Sequence, residues 1–421
     1  MSRGPIGARE VARRVLERVA KEGAWATPAL DGELARAGLD ERDRRLAAEL
    51  VYGVLRHRTR LDRAIAAHAD LKKTPPRVVT ALRVAAYQLL FLDRVPAYAA
   101  VDDAVAAARD ASGPKLGGFV NAVLRKVVAK QEPPLPADPR ERLEVEHSLP
   151  RWILDELDAA GGLAHAPAFA QAAPIVARGN RRKTTREALI EHFRAAGATA
   201  TPVDVDGKTP MALVLDGLGD PARSPSFLAG LWTVQDAGAQ VVAEVAAPRA
   251  GMKILDACAG VGGKSTHLAE LADDAATIDA ADQNATKLGL CGETASRLGL
   301  TSIRRHACDL LGPELPGLYD LIVLDAPCTG LGVLRRHPDA KWRLQPGDVP
   351  RMAALQTQLL DAVVRRLAPG GALVYSVCTF TRAEGPLQVA ALVARHELRV
   401  VAEHHTWPPD ADAFYVARLE R

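Results

Sequence analysis

Cysteine is scarce in this 421-residue chain, with five residues at positions 258, 291, 308, 328 and 378. They form no Cys-x-x-Cys pair and their number is odd. That excludes a disulfide framework, argues against a zinc site, and points to free thiols in a reducing, cytoplasmic setting. No apolar run approaches the roughly 18 residues of a membrane span, so no membrane partner is expected. The first twenty residues lack the apolar core of a secretory signal. Their five arginines (3, 9, 13, 14 and 18), with Glu10 and Glu17 at helical spacing, read instead as an amphipathic helix. Internal repeats and extended low-complexity tracts are also missing. A net charge of +3 excludes little, and 48% apolar with 25% charged residues is ordinary globular composition. At roughly 150 residues per domain the length suggests about three domains.

The charge is unevenly spread. Residues 1–135 carry 24 Lys and Arg against 16 Asp and Glu, a net +8; residues 136–235 sum to −2 and residues 236–421 to −3. A break falls at Gln131-Glu-Pro-Pro-Leu-Pro-Ala-Asp-Pro139, whose prolines cannot sit inside a helix. The first region reads as all helix, with apolar residues at helical spacing through 11–19, 46–55, 78–92 and 101–108. Ser112-Gly-Pro114 and Gly117-Gly118 are expected to open a last helix over 119–128. Basic residues cluster at Arg56, Arg58, Arg60 and Arg63, at Lys72, Lys73 and Arg77, and at Arg125, Lys126 and Lys130. Such a domain offers either a phosphate-binding face or a solvated surface. In the middle region, helices are expected over 152–160 and 184–196 and a strand over 212–215. Between them Arg178-Gly-Asn-Arg-Arg-Lys183 forms a basic turn, fit to grip a backbone or to face water. From about residue 235 the pattern is strand, turn, helix, repeated: an α/β domain with a mainly parallel sheet.

The strongest local signal is Lys253-Ile-Leu-Asp-Ala-Cys-Ala-Gly-Val-Gly-Gly-Lys264, a short strand running into a glycine turn and a helix. Its glycine spacing is neither that of a dinucleotide fold nor that of a phosphate loop. Asp282 closes a plausible second strand, where an acid accepts from ribose hydroxyls, and Asp309 closes a third, within reach of an adenine amine. Nothing here is dedicated to phosphate, so S-adenosylmethionine fits better than a nucleotide. Two further apolar strands run into cysteines, in Asp325-Ala-Pro-Cys328 and in Ser376-Val-Cys-Thr379. A parallel sheet would bring both thiols to one cleft.

These two segments resemble motifs IV and VI of the RNA cytosine-5 methyltransferases, and the glycine turn resembles their motif I. Val95-Pro-Ala-Tyr-Ala-Ala-Val-Asp-Asp-Ala-Val105 and Gly118-Phe-Val-Asn-Ala-Val-Leu-Arg125 resemble the NusB-like RNA-binding domain, whose fusion to that catalytic domain marks the RsmB/Sun family. Leu231-Trp-Thr-Val-Gln-Asp236 and Asp412-Ala-Phe-Tyr415 match as well, so the resemblance spans essentially the whole chain. It implies an all-α NusB-like N-terminal domain (1–135), a small α+β linking domain (136–235) and an α/β Rossmann-like class I methyltransferase domain (236–421). It also implies methylation of carbon 5 of a cytosine in 16S ribosomal RNA. S-adenosyl-L-methionine would be the donor, bound by Cys258, Ala259, Gly260, Val261, Gly262, Gly263, Lys264, Asp282, Asp309 and Asp325. A monomer suffices for such an enzyme.

The chemistry explains the residue types. Cytosine carbon 5 is a poor nucleophile until a thiolate adds at carbon 6, and a free cysteine needs help to ionise at neutral pH. The residues alone do not rank Cys328 and Cys378. By resemblance Cys378 is the nucleophile and Cys328 assists product release, Asp325 is the partner for N3, and Lys264 touches the base or the donor. Cys258, Cys291 and Cys308 read as packing. The chain departs from the family at Ala259-Gly-Val-Gly-Gly-Lys264, where Ala-Ala-Pro-Gly-Gly-Lys is usual, at Gly385 for Asn, and at Ala413 for Gly. A transfer-RNA cytosine-5 methyltransferase and a non-catalytic RNA-binding assembly or antitermination factor remain as alternatives.

Overall fold

The computed structural model describes residues 6–130, 132–312 and 317–421, with Lys130 described in its backbone alone. Arg3, Gln131 and the Lys130 side chain, singled out above, lie outside the described residues. The chain divides into two compact units. One comprises Met1–Asp155, Ala166–Gln171 and Leu334–Leu344; the other comprises Glu156–His165, Ala172–Val333 and Gln345–Arg421.

The first unit is helical: α1 (Ala8–Glu22), α2 (Ala26–Ala37), α3 (Glu41–Arg56), α4 (Arg58–Ala66), α5 (Pro76–Phe91), α6 (Ala97–Ser112) and α7 (Pro114–Lys130). In α1, Val11, Ala12, Val15, Leu16 and Val19 bury one stripe, the arrangement their spacing requires. Asp40 caps α3 by accepting from the Asp43 amide at 2.8 Å. One expectation is corrected at α7. The helix begins at Pro114, and Gly117 and Gly118 lie inside it rather than before it. A Cβ on Gly117 would come within 3.3 Å of the Val105 carbonyl on α6, so that glycine serves close helix packing, not a turn.

A strap from much later in the chain, Leu334–Leu344, completes this unit. Lys341 is buried, and its Nζ donates to the Arg56 carbonyl at 2.9 Å. Trp342 Nε1 donates to the Leu55 carbonyl at 2.7 Å, and the Asp339 carboxylate accepts from the Ala26 amide at 3.0 Å. Burial, and then the charge of Arg56, push the Lys341 amine down to about 7.

The second unit holds two sheets. Strands β1 (Ile175–Gly179), β2 (Thr199–Pro202), β3 (Ala212–Asp216) and β4 (Trp232–Val234) form an antiparallel sheet in the order β2-β3-β1-β4. The segment expected as a basic turn starts inside β1, which holds Arg178 and Gly179; the turn itself follows Asn180, and its Arg181, Arg182 and Lys183 are exposed. Arg178 is fully buried and pairs with Glu270 at 2.9 Å. Lys183 Nζ donates to the carbonyls of Ala229 and Arg297. The backbone this turn grips is its own chain's.

The larger sheet comprises β5 (Lys253–Asp256), β6 (Thr277–Asp282), β7 (Ile303–Ala307), β8 (Tyr319–Asp325), β9 (Leu367–Val377), β10 (Arg399–Thr406) and β11 (Phe414–Glu420). Its order is β10-β11-β9-β8-β5-β6-β7. The five strands from β9 to β7 run parallel, and β11 and β10 add antiparallel at one edge. From β5 the chain builds outward to β6 and β7, then returns to place β8 on the other side of β5. That reversal opens a crevice at the carboxyl ends of β5 and β8.

Candidate active site

Every chemistry-bearing residue expected from the sequence lies at the carboxyl ends of the parallel strands. Asp256 ends β5, Asp282 ends β6, Asp309 follows β7, Asp325 ends β8, and Cys378 directly follows β9. The helix Gly263–Leu271 starts from Gly262, which holds φ +84. A Cβ there would overlap the Cys291 thiol, so glycine is required twice over, by conformation and by space. Gly260 also has positive φ, +56, but open space beside it. Val261, in the position of the family's proline, is 52% exposed.

Asp282 braces this turn. Its Oδ2 accepts from the Gly260 amide at 2.9 Å and its Oδ1 from the Asn284 amide at 2.8 Å. Asp256 is buried; its Oδ2 accepts from Ser265 Oγ at 2.5 Å, while Oδ1 has no partner. Burial pushes the Asp256 carboxyl up to about 6, against the lowering effect of Ser265 and Lys264. Burial, then the carboxylates of Asp256, Asp325 and Asp282, also raise the Cys258 thiol, which suits packing and not reaction. Asp309 stands apart from this group, exposed, accepting from the Leu311 amide at 3.0 Å.

Lys264, Asp325 and the two thiols come together. Lys264 Nζ donates to Asp325 Oδ2 at 2.5 Å, and Ser376 Oγ donates to Asp325 Oδ1 at 2.8 Å. Burial disfavours the Lys264 charge, but Asp325, with Cys378 and Asp256 behind it, outweighs burial and the amine is raised. Cys328 Sγ lies 3.4 Å from Cys378 Sγ, and both residues keep some exposure. The hydrogen bond with Cys378, then burial and the charge on Cys378, raise the Cys328 thiol well above its usual range. The pair therefore resists losing a second proton. Such a site can hold one nucleophilic sulfur beside a proton-bearing one, with an ammonium and a carboxylate at hand.

Sequence reasoning misses the support beneath this group. Ser376 stands in its motif without a role, though it is the register partner of Asp325 across β8 and β9. Glu384, beside the Gly385 departure, is buried and accepts from Thr329 and Thr381. Its signal is its place, six residues past Cys378.

A parallel-cored sheet with a glycine turn after its first strand, and acids at the next strand ends, defines a Rossmann-like methyltransferase fold. Two family models match: "16S rRNA methyltransferase RsmB/F" over residues 243–420 and "NusB family" over residues 7–129. The "Probable ribosomal RNA small subunit methyltransferase B" of Synechocystis is 36% identical, over 99% of this chain and 100% of its own. The "Ribosomal RNA small subunit methyltransferase B" of Vibrio cholerae is 36% identical over 92% of each. The crystal structure of PH0851 covers both chains fully at 24% identity and a TM-score of 0.80, a likeness of fold. The chain belongs to the small-subunit ribosomal RNA methyltransferase B family, and is by that membership a methyltransferase.

Proposed function

We propose that the protein transfers a methyl group from S-adenosyl-L-methionine to carbon 5 of a specific cytosine in 16S ribosomal RNA, through a covalent adduct of Cys378 with carbon 6. The observation that carries this reading is the pair of thiols 3.4 Å apart, beside the Lys264–Asp325 ion pair. One sulfur serves addition to the ring and the second serves elimination. A fold for methyl transfer to oxygen or nitrogen needs neither.

The turn after β5 suits the donor. With nothing within 4 Å of a Cβ built on Gly260, the backbone there is open to close approach, and Asp256 Oδ1 is an acceptor without a partner. Residues 258–264 would line the donor, Asp282 would hold its ribose, Asp309 its adenine amine, and Asp325 would border it. Bound there, S-adenosylmethionine supplies an electrophilic methyl group.

The protein's own part runs in three stages. The Cys378 thiolate bonds to carbon 6, and the ring electrons so displaced make carbon 5 nucleophilic. Charge arriving at N3 is met by Asp325, with the Lys264 ammonium as its proton source. That proton returns to Lys264 when the electrons flow back from N3 to form the bond at carbon 5. Bonding to carbon 6 also removes the charge on Cys378 that kept Cys328 protonated. Cys328 then releases its proton to water and takes the proton of carbon 5; the bond from sulfur to carbon 6 breaks and its electron pair returns to Cys378.

A duplex hides both ring carbons, so the target lies in a loop or is flipped out. Residues 1–135 would anchor phosphates, 136–235 would link, and 236–421 would carry the chemistry, in a cytoplasmic monomer. The test is incubation of undermethylated ribosomal and transfer RNA with labelled S-adenosylmethionine, followed by mapping of 5-methylcytosine. Label should enter small-subunit ribosomal RNA; label in transfer RNA alone would move the substrate, and no transfer to any RNA ends the reading. Cys378→Ala should abolish transfer, and Cys328→Ala should leave a protein–RNA adduct that survives denaturing gels.

A further inference from the structure

Glu384 lies between β9 and the helix Pro386–Arg395 and has no exposed surface. Its Oε1 accepts from the Thr329 amide at 2.8 Å and from Gln356 Nε2 at 3.2 Å. Its Oε2 accepts from Thr329 Oγ1 at 2.6 Å and Thr381 Oγ1 at 2.8 Å, with Thr379 Oγ1 at 3.5 Å. Thr329 follows Cys328 and Thr379 follows Cys378, and their hydroxyls meet at 3.1 Å. One carboxylate thus ties both thiol-bearing loops together. Gln356 extends the tie by also donating to the Pro327 carbonyl at 2.9 Å.

Among the described residues these partners are all neutral. A buried carboxylate without a cation is costly, and holding two loops together needs only acceptor oxygens, not a charge. The charge has a second use. The two thiols have unlike neighbours: the Lys264 ammonium interacts with Cys378, while Glu384, and after it Asp325, acts on Cys328. An ammonium favours a thiolate nearby and a carboxylate disfavours one.

We infer that Glu384 is a positioning residue that fixes the two cysteine loops against each other and biases the singly ionised thiol pair, so that Cys378 carries the charge and Cys328 the proton. The inference rests on the roles proposed above for the two thiols. When the pair gives up one proton to water, the other stays on Cys328. When Cys328 later ionises, the same carboxylate makes it the stronger base for the proton of carbon 5.

The test is site-resolved alkylation of the full chain with iodoacetamide across pH, with each cysteine read by peptide mass spectrometry. In the parent protein Cys378 should react at lower pH than Cys328; the reverse order overturns the inference. Glu384→Gln removes the charge and should raise the Cys328 rate about tenfold at a given pH, equivalent to one pH unit. Unchanged rates at both thiols, in a variant whose circular dichroism is native, overturn it. Glu384→Asp keeps the charge, shortens the reach, and guards against a glutamine variant that fails to fold. It should preserve the order of alkylation and slow methyl transfer at least tenfold. Loss of the order, or full transfer, counts against the inference. Alkylation needs neither RNA nor methyl donor. A parent protein with the expected order but no transfer to RNA therefore refutes the proposed function and leaves the thiol assignment standing.

Discussion

Two glycines in one turn make different demands on the chain. Gly262 needs both its left-handed φ and the absence of a Cβ, because Cys291 fills the space; Gly260 needs only its φ. Gly262→Ala should therefore cost roughly 2–4 kcal/mol, strain and overlap together, and abolish donor binding. Gly260→Ala should cost about 1–2 kcal/mol and weaken binding less. Urea unfolding and equilibrium dialysis with labelled S-adenosylmethionine separate the two, and equal losses would contradict the distinction. At this scale the sequence is most legible where chemistry and strand ends coincide, at Asp282, Asp325, Cys328 and Cys378. Ser376 and Gln356 are opaque for a physical reason. Their partners lie 51 and 28 residues away, and only sheet register and helix packing bring them together.

Among the elements, the contact between β1 and the helix after the glycine turn has the clearest energetic consequence. Arg178 Nη1 donates to the Gly263 carbonyl at 2.8 Å while Nη2 reaches Thr266 at 3.1 Å and Glu270 at 2.9 Å. Glu270→Ala would strand a buried guanidinium and should cost about 3–5 kcal/mol in urea unfolding. Arg178→Met with Glu270→Leu should recover most of that loss, since the pair's desolvation penalty goes with it. The strap offers a pH test. The Lys341 amine is lowered to about 7, against an ordinary value near 10.5 in the unfolded chain. Between those values the unfolded chain binds the extra proton, so stability from this group rises with pH and is lost as pH falls through 7. Lys341→Met should flatten thermal midpoints measured from pH 7 to 10 and raise the midpoint at pH 6. Helices α1, α3, α5 and α6 are legible as apolar stripes. Helix α2, interrupted by Pro28 and Gly32, and the nine-residue α4, with three arginines, carry too little periodicity to stand out, and form because the stripe-bearing helices give them a surface.

For the molecule as a whole, the excess of positive charge before residue 135 divides into buried or paired groups and exposed ones. Arg56 is buried, Arg60 pairs with Glu132, and Arg83 forks onto Asp62 at 2.6 and 2.8 Å, beside Arg58. Lys72, Lys73, Arg77, Arg125 and Lys126 remain exposed. Replacing Lys72, Lys73 and Arg77 by Gln should lower the slope of log affinity for RNA against log salt by about 0.7–0.9 for each phosphate no longer neutralised. An unchanged slope would remove this face from RNA binding. Deleting residues 1–135 is a poorer probe, because it uncovers Lys341 and Trp342. Composition makes the helical and α/β regions visible and leaves the strap hidden, since nothing within Leu334–Leu344 advertises the helices it joins.

That strap also sets a timetable for biosynthesis. The helices up to Lys130 emerge from the ribosome first, yet the segment that completes their unit is made about 200 residues later. At about 5–20 residues per second that is a delay of roughly 10–40 s. For that interval the seat of Trp342 and Lys341 stays uncovered on the nascent chain. The unit that begins folding first therefore stays unfinished until most of the second unit has also been made.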